Sequence, residues 1–567
     1  MSVPGAMMRS PGLPPGSLRL EVREGRWPVG LSGHTFVIGP TPLPGQPFFF
    51  GPGAVHRLDL TPVDGHLTWH TGLVMTEGLQ VLSQLPSELF EDPRFPPLFG
   101  PVPNAANTAL VPLQDGRLLA TFDAGRPVEI DPRALAYVSS VGALREWKVT
   151  APGVVQPLVM TPAHPFFDPF ETRLYTTNTT SMPLHGTSLS RLELDTWVCR
   201  WDGEGAVRRW HVSGAPFSQY IHEVLATRSF LAWTDSAVYP REPGERWGLP
   251  RTLPQNPYTD IAIVRKRDLV DGARDVEARV IRVPLEGAHI FADYDDDGER
   301  LTLWLAHANS IELPTVVAPG DLNHFTGQPV DPELYGLFTQ ADLNPLGRYV
   351  LHVGSGEVES HSQVLSPELW GLGLFTRDQR PSALPRHRVA WLAYSGFEPG
   401  ALTQRMVRLY GGHPHRVVPV ERLPRERKPS ALVRVDLEGM WVTDGYSLSE
   451  GRIASSPTWI PGDGGEGWLQ ALVWSEHDTE VWLFRANRLS AGPVARLGAE
   501  GFRLPFTLHT AWMPELRERT SGYRVDFAED IGPDYRRLPA PVRDAVDRVV
   551  AAYRDVPTGS QRPVNRR

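Results

Sequence analysis

The chain has 567 residues, of which 41% are hydrophobic and 21% charged, a composition typical of a globular protein with a large core. The formal net charge of −9 argues against nucleic-acid binding, which depends on neutralising phosphates with lysine and arginine. The single cysteine excludes an intramolecular disulfide and a cysteine-based metal site. The first residues lack the apolar run of a signal peptide, and no segment is apolar for long enough to cross a bilayer, so a cytoplasmic location is expected.

Short alternating segments separated by turn residues recur along the chain and predict an all-β protein. Residues 118–122 and 127–130 flank a turn, and residues 301–305 follow the acidic turn that ends at Gly298. Residues 468–474 and 480–484 have the pattern of a hairpin. This spacing is compatible with a sandwich, a barrel or a propeller.

Few helices are predicted. Residues 85–90 favour a turn or two of helix, and residues 542–553 place their apolar side chains on one helical face after Pro541. We expect residues 1–18 to be a disordered N-terminal arm, residues 19–555 a single domain and residues 556–567 a disordered basic tail.

Several familiar functional motifs are incomplete or absent. Asp293, Asp295 and Asp297 imitate the start of an EF-hand loop, but the required glutamate at its twelfth position is Trp304, so a β-turn is favoured. The sequence contains neither the Gly-x-Ser-x-Gly motif of serine hydrolases nor the His-Glu-x-x-His motif of zinc proteases.

Three N-terminal segments resemble those of the carotenoid cleavage dioxygenase family. Residues 27–40, WPVGLSGHTFVIGP, are similar to the family's "LPxGLxGxxxRNGP", and residues 49–56, FFGPGAVH, to "FDGDGMVH". Residues 107–108 followed by 116–120 resemble its "NT…GRLLAL" strand pair. Seven such fragments in the correct order, counting the four metal-ligand segments below, are hard to obtain by accident.

The four metal-ligand segments of that family also have counterparts, each with one histidine. They are AHP at His164, IHEVLAT at His222, AHIFADY at His289 and PFTLH at His509. Residues 480–493, EVWLFRANRLSAGP, resemble the family's "ELVVLDAxxLxxGP". The resemblance implies that these four imidazoles bind Fe(II), a metal that histidine suits. No such segment surrounds five further histidines, which we interpret as ordinary residues: His66, His70, His185, His211 and His307.

By the same resemblance, the fold is a seven-bladed β-propeller with a few short helices capping the active-site face. The iron would lie on the axis, because the inner strand of each blade can supply one histidine there. A lipophilic tunnel would lead to the metal, and no organic cofactor is implied. Residues 404–430, rich in Arg, Pro and His, are expected to form a long loop or an insertion between blades.

Residues that orient the ligand histidines differ from the family pattern. Asp123 stands where the family's first supporting glutamate usually falls, and Ser456 replaces the acid of "GEPxFVP". Glu421, in VERLP, is the candidate for the third. These changes indicate a divergent member and bear more on catalysis and substrate than on fold.

The resemblance implies an iron-dependent dioxygenase that cleaves a conjugated double bond of a carotenoid or apocarotenoid with O2, giving two carbonyl products. Three alternatives stay open: cleavage of a stilbene-like phenylpropanoid, an isomerohydrolase reaction, and a propeller that binds a lipophilic ligand without catalysis. Family members often touch a membrane to extract their substrate, so peripheral membrane contact also stays open. The sequence does not determine the oligomeric state.

Overall fold

A computed structural model describes residues 7, 16–41, 51–86, 103–180, 195–217, 219–236, 252–462 and 467–554, with backbone alone at 312–315 and 554. Antiparallel strands dominate these residues, which confirms the all-β prediction. The predicted hairpin is present as Trp468–Trp474 paired with Thr479–Arg485.

The strands are numbered in chain order. Strands β1 to β8 are Ser17–Gly25, His34–Pro40, Gly53–Val63, His66–Val74, Ala109–Pro112, Leu118–Thr121, Val128–Asp131 and Ala136–Ser140. Strands β9 to β17 are Phe166–Asp168, Arg173–Thr179, Thr196–Trp201, Arg208–Ser213, Tyr220–Ala226, Phe230–Ser236, Tyr258–Arg265, Asp275–Glu277 and Arg279–Pro284. Strands β18 to β25 are Gly287–Ala292, Arg300–His307, Ile311–Val316, Phe338–Gln340, Leu346–His352, Glu357–Val364, Leu374–Thr376 and Val389–Tyr394. Strands β26 to β33 are Ala431–Asp436, Trp441–Ser447, Ile453–Ala454, Thr458–Ile460, Trp468–Trp474, Thr479–Arg485, Ala495–Gly498 and Thr510–Met513.

The strands form the blades of a propeller. The ten-stranded sheet contains two blades: blade 1 (β2–β4 with β33) and blade 7 (β28–β32). Five smaller sheets are one blade each: blade 2 (β5–β8), blade 3 (β9–β12 with β16), blade 4 (β13–β15 with β17), blade 5 (β18, β19, β22 and β23) and blade 6 (β24–β27). The predicted seven-bladed propeller is therefore present, with the hairpin β20–β21 inserted in blade 5.

Both ends of the domain close the ring between blades 1 and 7. Strand β1 pairs with β4 of blade 1 and with β32 of blade 7, so it joins the outer edges of the two blades. At the inner edge of blade 1, β33 pairs with β2. Because strands distant in sequence share one sheet, the first and last blades cannot separate without breaking ladder hydrogen bonds.

The inner part of a blade is apolar on both faces because it packs against two neighbours, as blade 7 shows. In β30, Leu469, Ala471 and Val473 contact one core cluster, while Leu472 and Trp474 contact another on the opposite face. This period of two is the alternation of a strand. Burial of each large apolar side chain contributes about 1.5–3 kcal/mol, so the propeller is held mainly by contacts between blades.

Four α-helices occur in the described residues. Helices α1 to α4 are Glu77–Leu82, Gln404–Tyr410, Phe527–Ile531 and Ala540–Arg554. Helix α4 confirms the predicted C-terminal helix, whereas α1 lies just before the predicted turn of helix at 85–90, of which residues 87–90 lie outside the described residues. The segment 404–430 contains α2 and lies between β25 and β26, so it is an insertion within blade 6 and not between blades.

The N-terminal boundary differs from the expectation of a disordered arm at residues 1–18. Met7 is 4% exposed in the core and its carbonyl accepts a hydrogen bond from the backbone N–H of Phe506, while β1 begins at Ser17. The remaining residues of the arm before Gly16, and the basic tail 556–567, lie outside the described residues. None of the described helices is both long and apolar enough to span a bilayer.

Candidate metal centre

Four histidines meet at one end of the propeller. His222 lies in β13 and His289 in β18, while His164 precedes β9 and His509 precedes β33. These strands are the innermost ones of blades 4, 5, 3 and 1, and β13 contacts both β9 and β18. His164 and His509 lie just before their strands, and His222 and His289 are the third residues of theirs, so all four rings reach the axis at the same end.

The ligand nitrogens of His164, His222, His289 and His509 all lie within 4.8 Å of one another. The ring centroid of His164 is 4.9 Å from that of His222, 4.8 Å from that of His289 and 4.2 Å from that of His509. The centroid of His289 is 5.0 Å from that of His222 and 4.9 Å from that of His509. Nitrogen ligands about 2.1 Å from a divalent ion lie at most about 4.2 Å apart, so only small ring shifts would bring all four around one ion.

Two β-bulges direct side chains towards this centre. Between the pairs Ile221–Asp235 and Val224–Trp233, strand β13 has two residues opposite one of β14. A second bulge in β18 separates Gly287 from His289. A bulge interrupts the alternation of a strand, which allows the consecutive residues His222 and Glu223 both to contribute to the centre.

Backbone hydrogen bonds fix the positions of the other two histidines. The N–H of His164 donates to the carbonyl of His222 at 3.1 Å, and the N–H of Val224 donates to the carbonyl of His164 at 2.9 Å. The carbonyl of His509 accepts from the N–H of Ile38 at 3.0 Å. The backbone at His164 and at His509 is therefore tied to neighbouring strands, β13 and β2 respectively.

Two carboxylates orient two of the rings. Nδ1 of His222 donates to Asp123 at 2.9 Å, and Nδ1 of His289 donates to Glu223 at 3.0 Å. A hydrogen-bonded Nδ1–H leaves Nε2 as the free lone pair, which is the form that binds a metal. Asp123 also accepts from the backbone N–H of Ala163 at 3.0 Å, so it contacts the segment of a second histidine.

The electrostatics of the site favour neutral imidazoles at His164 and His509. Burial, together with the other three rings, holds the pKa of His164 well below its usual range, and burial does the same for His509. Burial acts to lower the pKa of His222, but the charge and hydrogen bond of Asp123 outweigh it and leave this pKa raised. Neutral rings carry the lone pairs that a metal needs.

The donor set fits a divalent first-row metal. Nε2 of His164 is buried and has no hydrogen-bond partner among the described residues, which is costly for a polar atom unless a ligand satisfies it. Four imidazoles are a donor set that suits iron and its neighbours in the first row.

The other residues selected from the sequence are placed differently. Ser456 is buried between β28 and β29, and the neighbouring Pro457 carbonyl accepts from the hydroxyl of Thr510, but no described hydrogen bond joins Ser456 to His509. Glu421 is exposed on the 3₁₀ turn Val420–Arg422, and no described hydrogen bond joins it to the four histidines. Glu223, which the sequence analysis did not select, is the second carboxylate instead.

The five histidines that were interpreted from the sequence as ordinary residues have other partners or positions. His70 and His211 bond to aspartates, and His307 bonds to the Glu286 carbonyl and the Tyr349 hydroxyl. His66 lies in β4 of blade 1, and His185 lies outside the described residues.

Aromatic side chains and one cation lie beside His289. The ring of Phe375 is 6.1 Å from that of His289 and 4.8 Å from that of Phe291. The guanidinium of Arg377 lies 5.0 Å from the centre of the Phe291 ring, and burial lowers the pKa of Arg377 to about 10, so it stays charged at neutral pH. This flank of the centre therefore combines aromatic surface with the buried charge of Arg377, which the nearby Glu223 partly offsets.

Known structures share this fold. Synechocystis apocarotenoid oxygenase, in a glutamate-to-glutamine variant, is 19% identical and matches with a TM-score of 0.59 over 90% of this chain and 99% of its own. The cobalt-substituted form of that enzyme is 20% identical, with a TM-score of 0.58 over 90% and 98%. Lignostilbene dioxygenase of Pseudomonas brassicacearum is 18% identical, with a TM-score of 0.57 over 88% and 95%.

The search of curated proteins gave no match. A sequence model described as retinal pigment epithelial membrane protein matches residues 10–514, which span all four histidines. This match covers most of the chain and confirms the family that the sequence segments indicated. The chain therefore belongs to the family of the retinal pigment epithelial membrane protein, the carotenoid oxygenases.

Proposed function

We propose that this protein is an Fe(II)-dependent dioxygenase that cleaves a conjugated carbon–carbon double bond of a carotenoid or apocarotenoid. The observation that carries the proposal is the meeting of His164, His222, His289 and His509, two of them oriented by carboxylates. In the reaction the carbon–carbon double bond breaks, each carbon gains one oxygen atom of O2, and two carbonyl compounds leave.

The four histidines would hold the metal, and Fe(II) bound there supplies the activation of O2. Asp123 and Glu223 keep the Nδ1 protons of His222 and His289 in place, so that both rings present Nε2. Phe375, beside His289, offers an apolar surface on which a polyene can rest without losing hydrogen bonds. The protein would thus contribute metal binding and orientation of the substrate.

Cleavage of a stilbene-like phenylpropanoid is the second candidate. Its support is the similarity to the lignostilbene dioxygenase structure. The two candidates share the metal and the type of bond cleaved, and they differ only in substrate.

The test is a reaction of purified protein loaded with Fe(II), supplied with 18O2 and panels of apocarotenoids, including their esters, and of hydroxystilbenes. Mass spectrometry should find two aldehyde or ketone products from one panel, each with one heavy oxygen before exchange with water. The variant His164→Ala should give no product. Iron-loaded protein that cleaves neither panel would contradict the proposal, and an isomerised alcohol formed without O2 uptake would identify an isomerohydrolase.

A further inference from the structure

The C-terminal residues 515–554 lie beyond the part of the chain that the family model matches, which ends at residue 514. They contain α3, the 3₁₀ helix Pro533–Arg537 and α4, and we call them the C-terminal clasp. Their apolar side chains form one buried cluster with Val81 of α1 and with Val155: Phe527, Ile531, Tyr535, Leu538, Val542, Ala545, Val546 and Val549. The clasp is thus an integral part of the fold.

Polar contacts bind the clasp to blade 2. Arg519 donates to Glu129 of β7 at 2.5 Å, and the hydroxyl of Tyr523 accepts from the N–H of Gly142 at 2.6 Å. Asp530 accepts from the N–H of Leu144 at 2.6 Å. These partners lie in or just after the outer strands β7 and β8.

One contact of the clasp reaches the turn that bears Asp123. The guanidinium of Arg126 lies 2.6 Å from the carboxylate of Asp530, and the two side chains are only 11% and 6% exposed. Arg126 also donates to the carbonyl of Gly142 at 2.7 Å. The clasp and the outer part of blade 2 therefore both bind Arg126. This residue lies three positions after Asp123, the carboxylate that orients His222.

The turn between Asp123 and Arg126 is fixed at several of its residues. The hydroxyl of Tyr220 donates to the carbonyl of Asp123, and that of Thr161 donates to the carbonyl of Gly125 at 2.6 Å. The side chain of Asn104 donates to the carbonyl of Arg126 at 2.8 Å. Neighbouring segments thus hold the backbone of this turn, and the clasp holds its only cationic side chain.

The position of this backbone matters because aspartate is short. A glutamate could reach His222 from a turn placed farther away, whereas Asp123 has one methylene fewer and adjusts little. A displacement of the turn by about 1 Å would lengthen the 2.9 Å hydrogen bond to His222 beyond its normal range. The metal site therefore depends on the exact course of the turn.

We propose that the C-terminal clasp positions Asp123, through the pair Arg126–Asp530, so that His222 is held in its metal-binding orientation. Asp530 and Arg126 act as positioning residues, since neither contacts the four histidines in the described structure. This inference rests on the proposed metal-binding function. It assigns a role at the centre to a segment that lies outside the family match.

The test is a double-mutant cycle on Co(II) binding, measured as a dissociation constant by competition with a chelator and by the visible spectrum of bound Co(II). Asp530→Asn should weaken Co(II) binding about 10-fold, and Asp123→Asn by about 10-fold to 100-fold. In the Asp123→Asn background, Asp530→Asn should add less than a 2-fold change, because the residue through which it acts is already lost. The matched control is Glu529→Gln, whose side chain is 72% exposed and which should bind Co(II) like the wild type.

The failures are distinguishable. A wild-type protein that binds no Co(II) would contradict the proposed function itself. A wild type that binds Co(II), with Asp530→Asn either unchanged or additive to Asp123→Asn, would overturn the role of the clasp alone. Asp530→Asn could unfold the segment, so Arg126→Lys serves as a milder variant that keeps the charge. It must weaken Co(II) binding when Asp123 is present and have little effect in the Asp123→Asn background, at an unchanged melting temperature.

Discussion

Glu223 accepts the Nδ1–H of His289 at 3.0 Å, although the two residues belong to different blades. Glu223 directly follows His222, and a regular strand would turn these two side chains to opposite faces. The bulge of β13 removes that restriction, so one short stretch supplies a ring to the centre and a carboxylate to the neighbouring ring. The same carboxylate oxygen accepts from the N–H of Ile290 at 2.8 Å, which fixes it.

Glu223→Gln should therefore weaken metal binding. The amide oxygen can accept the same proton but carries no charge, so His289 loses basicity and its preferred orientation. We expect the dissociation constant for Co(II) or Fe(II) to rise about 10-fold to 100-fold. Glu299→Gln, at an exposed turn, is the control. Equal metal affinities for Glu223→Gln and the wild type would show that the hydrogen bond from His289 to Glu223 does not contribute to metal binding.

Alanine variants of two histidines should separate metal binding from stability. His164→Ala should abolish metal binding while changing the stability of the metal-free protein little, since its Nε2 has no partner to lose. His307→Ala should retain metal binding but lower the free energy of unfolding by about 3 kcal/mol, because it removes the hydrogen bonds of a buried ring to the Tyr349 hydroxyl and the Glu286 carbonyl and leaves a cavity.

The measurements are metal content after dialysis and chemical unfolding in the presence of a chelator. The assignment of His164 would be wrong if its alanine variant kept a full equivalent of metal. A loss of metal by His307→Ala at unchanged stability would contradict the prediction that His307 contributes to stability and not to metal binding.

The sequence predicted much of this centre because its residues lie in segments with recognisable neighbours. His164 and His222 each lie in a segment that resembles the family's, and the turn that bears Asp123 lies between two strands that the sequence predicts. The sequence also predicted β30 and β31 correctly, because each is a short, largely apolar run bounded by polar turn residues. Local patterns are informative where the structure is locally regular.

The rest depended on contacts that local patterns do not encode. Glu223 was missed because strand alternation predicts that the neighbour of an inward histidine faces away, and a bulge leaves no clear signature in sequence. Glu421 was selected from a short V-E-x-x-P pattern, and such a pattern carries no information about exposure. The amphipathic pattern predicted α4, but not the blade on which the C-terminal clasp packs, because the ion pair of Asp530 with Arg126 spans 404 positions of sequence.

Ring closure by β1 gives a test of the fold. Leu20 of β1 is 0% exposed and packs in the cluster shared by blades 1 and 7. Leu20→Ala should lower the free energy of unfolding by about 2–5 kcal/mol, because it leaves a cavity at the junction of the two blades. Arg19→Ala, the exposed neighbour on the other face of β1, should change it by less than about 0.5 kcal/mol. An equally small loss for both variants would mean that β1 contributes by its backbone alone.

A pH-dependent contribution to stability is expected at Asp59 of blade 1. Partial burial acts to raise the pKa of this carboxyl group, but hydrogen bonds from His34, His70 and Arg57 outweigh it and hold the pKa well below its usual value. The distances from His34 and His70 to the carboxylate are 2.6 Å and 2.9 Å. Because the pKa is lower in the folded than in the unfolded chain, the ionised group stabilises the fold.

This stabilisation is complete above the unfolded pKa of about 4 and is lost as the pH falls towards the folded value. Asp59→Asn should therefore cost about 2 kcal/mol at pH 7, and the difference from the wild type should shrink below about pH 4. Urea unfolding at several pH values between 7 and 3 measures it. Asp64→Asn is the control, since Asp64 is exposed in a turn with a φ of 50° that asparagine also tolerates. A difference between Asp59→Asn and wild type that stays constant from pH 7 to pH 3 would mean that packing, and not charge, makes Asp59 important.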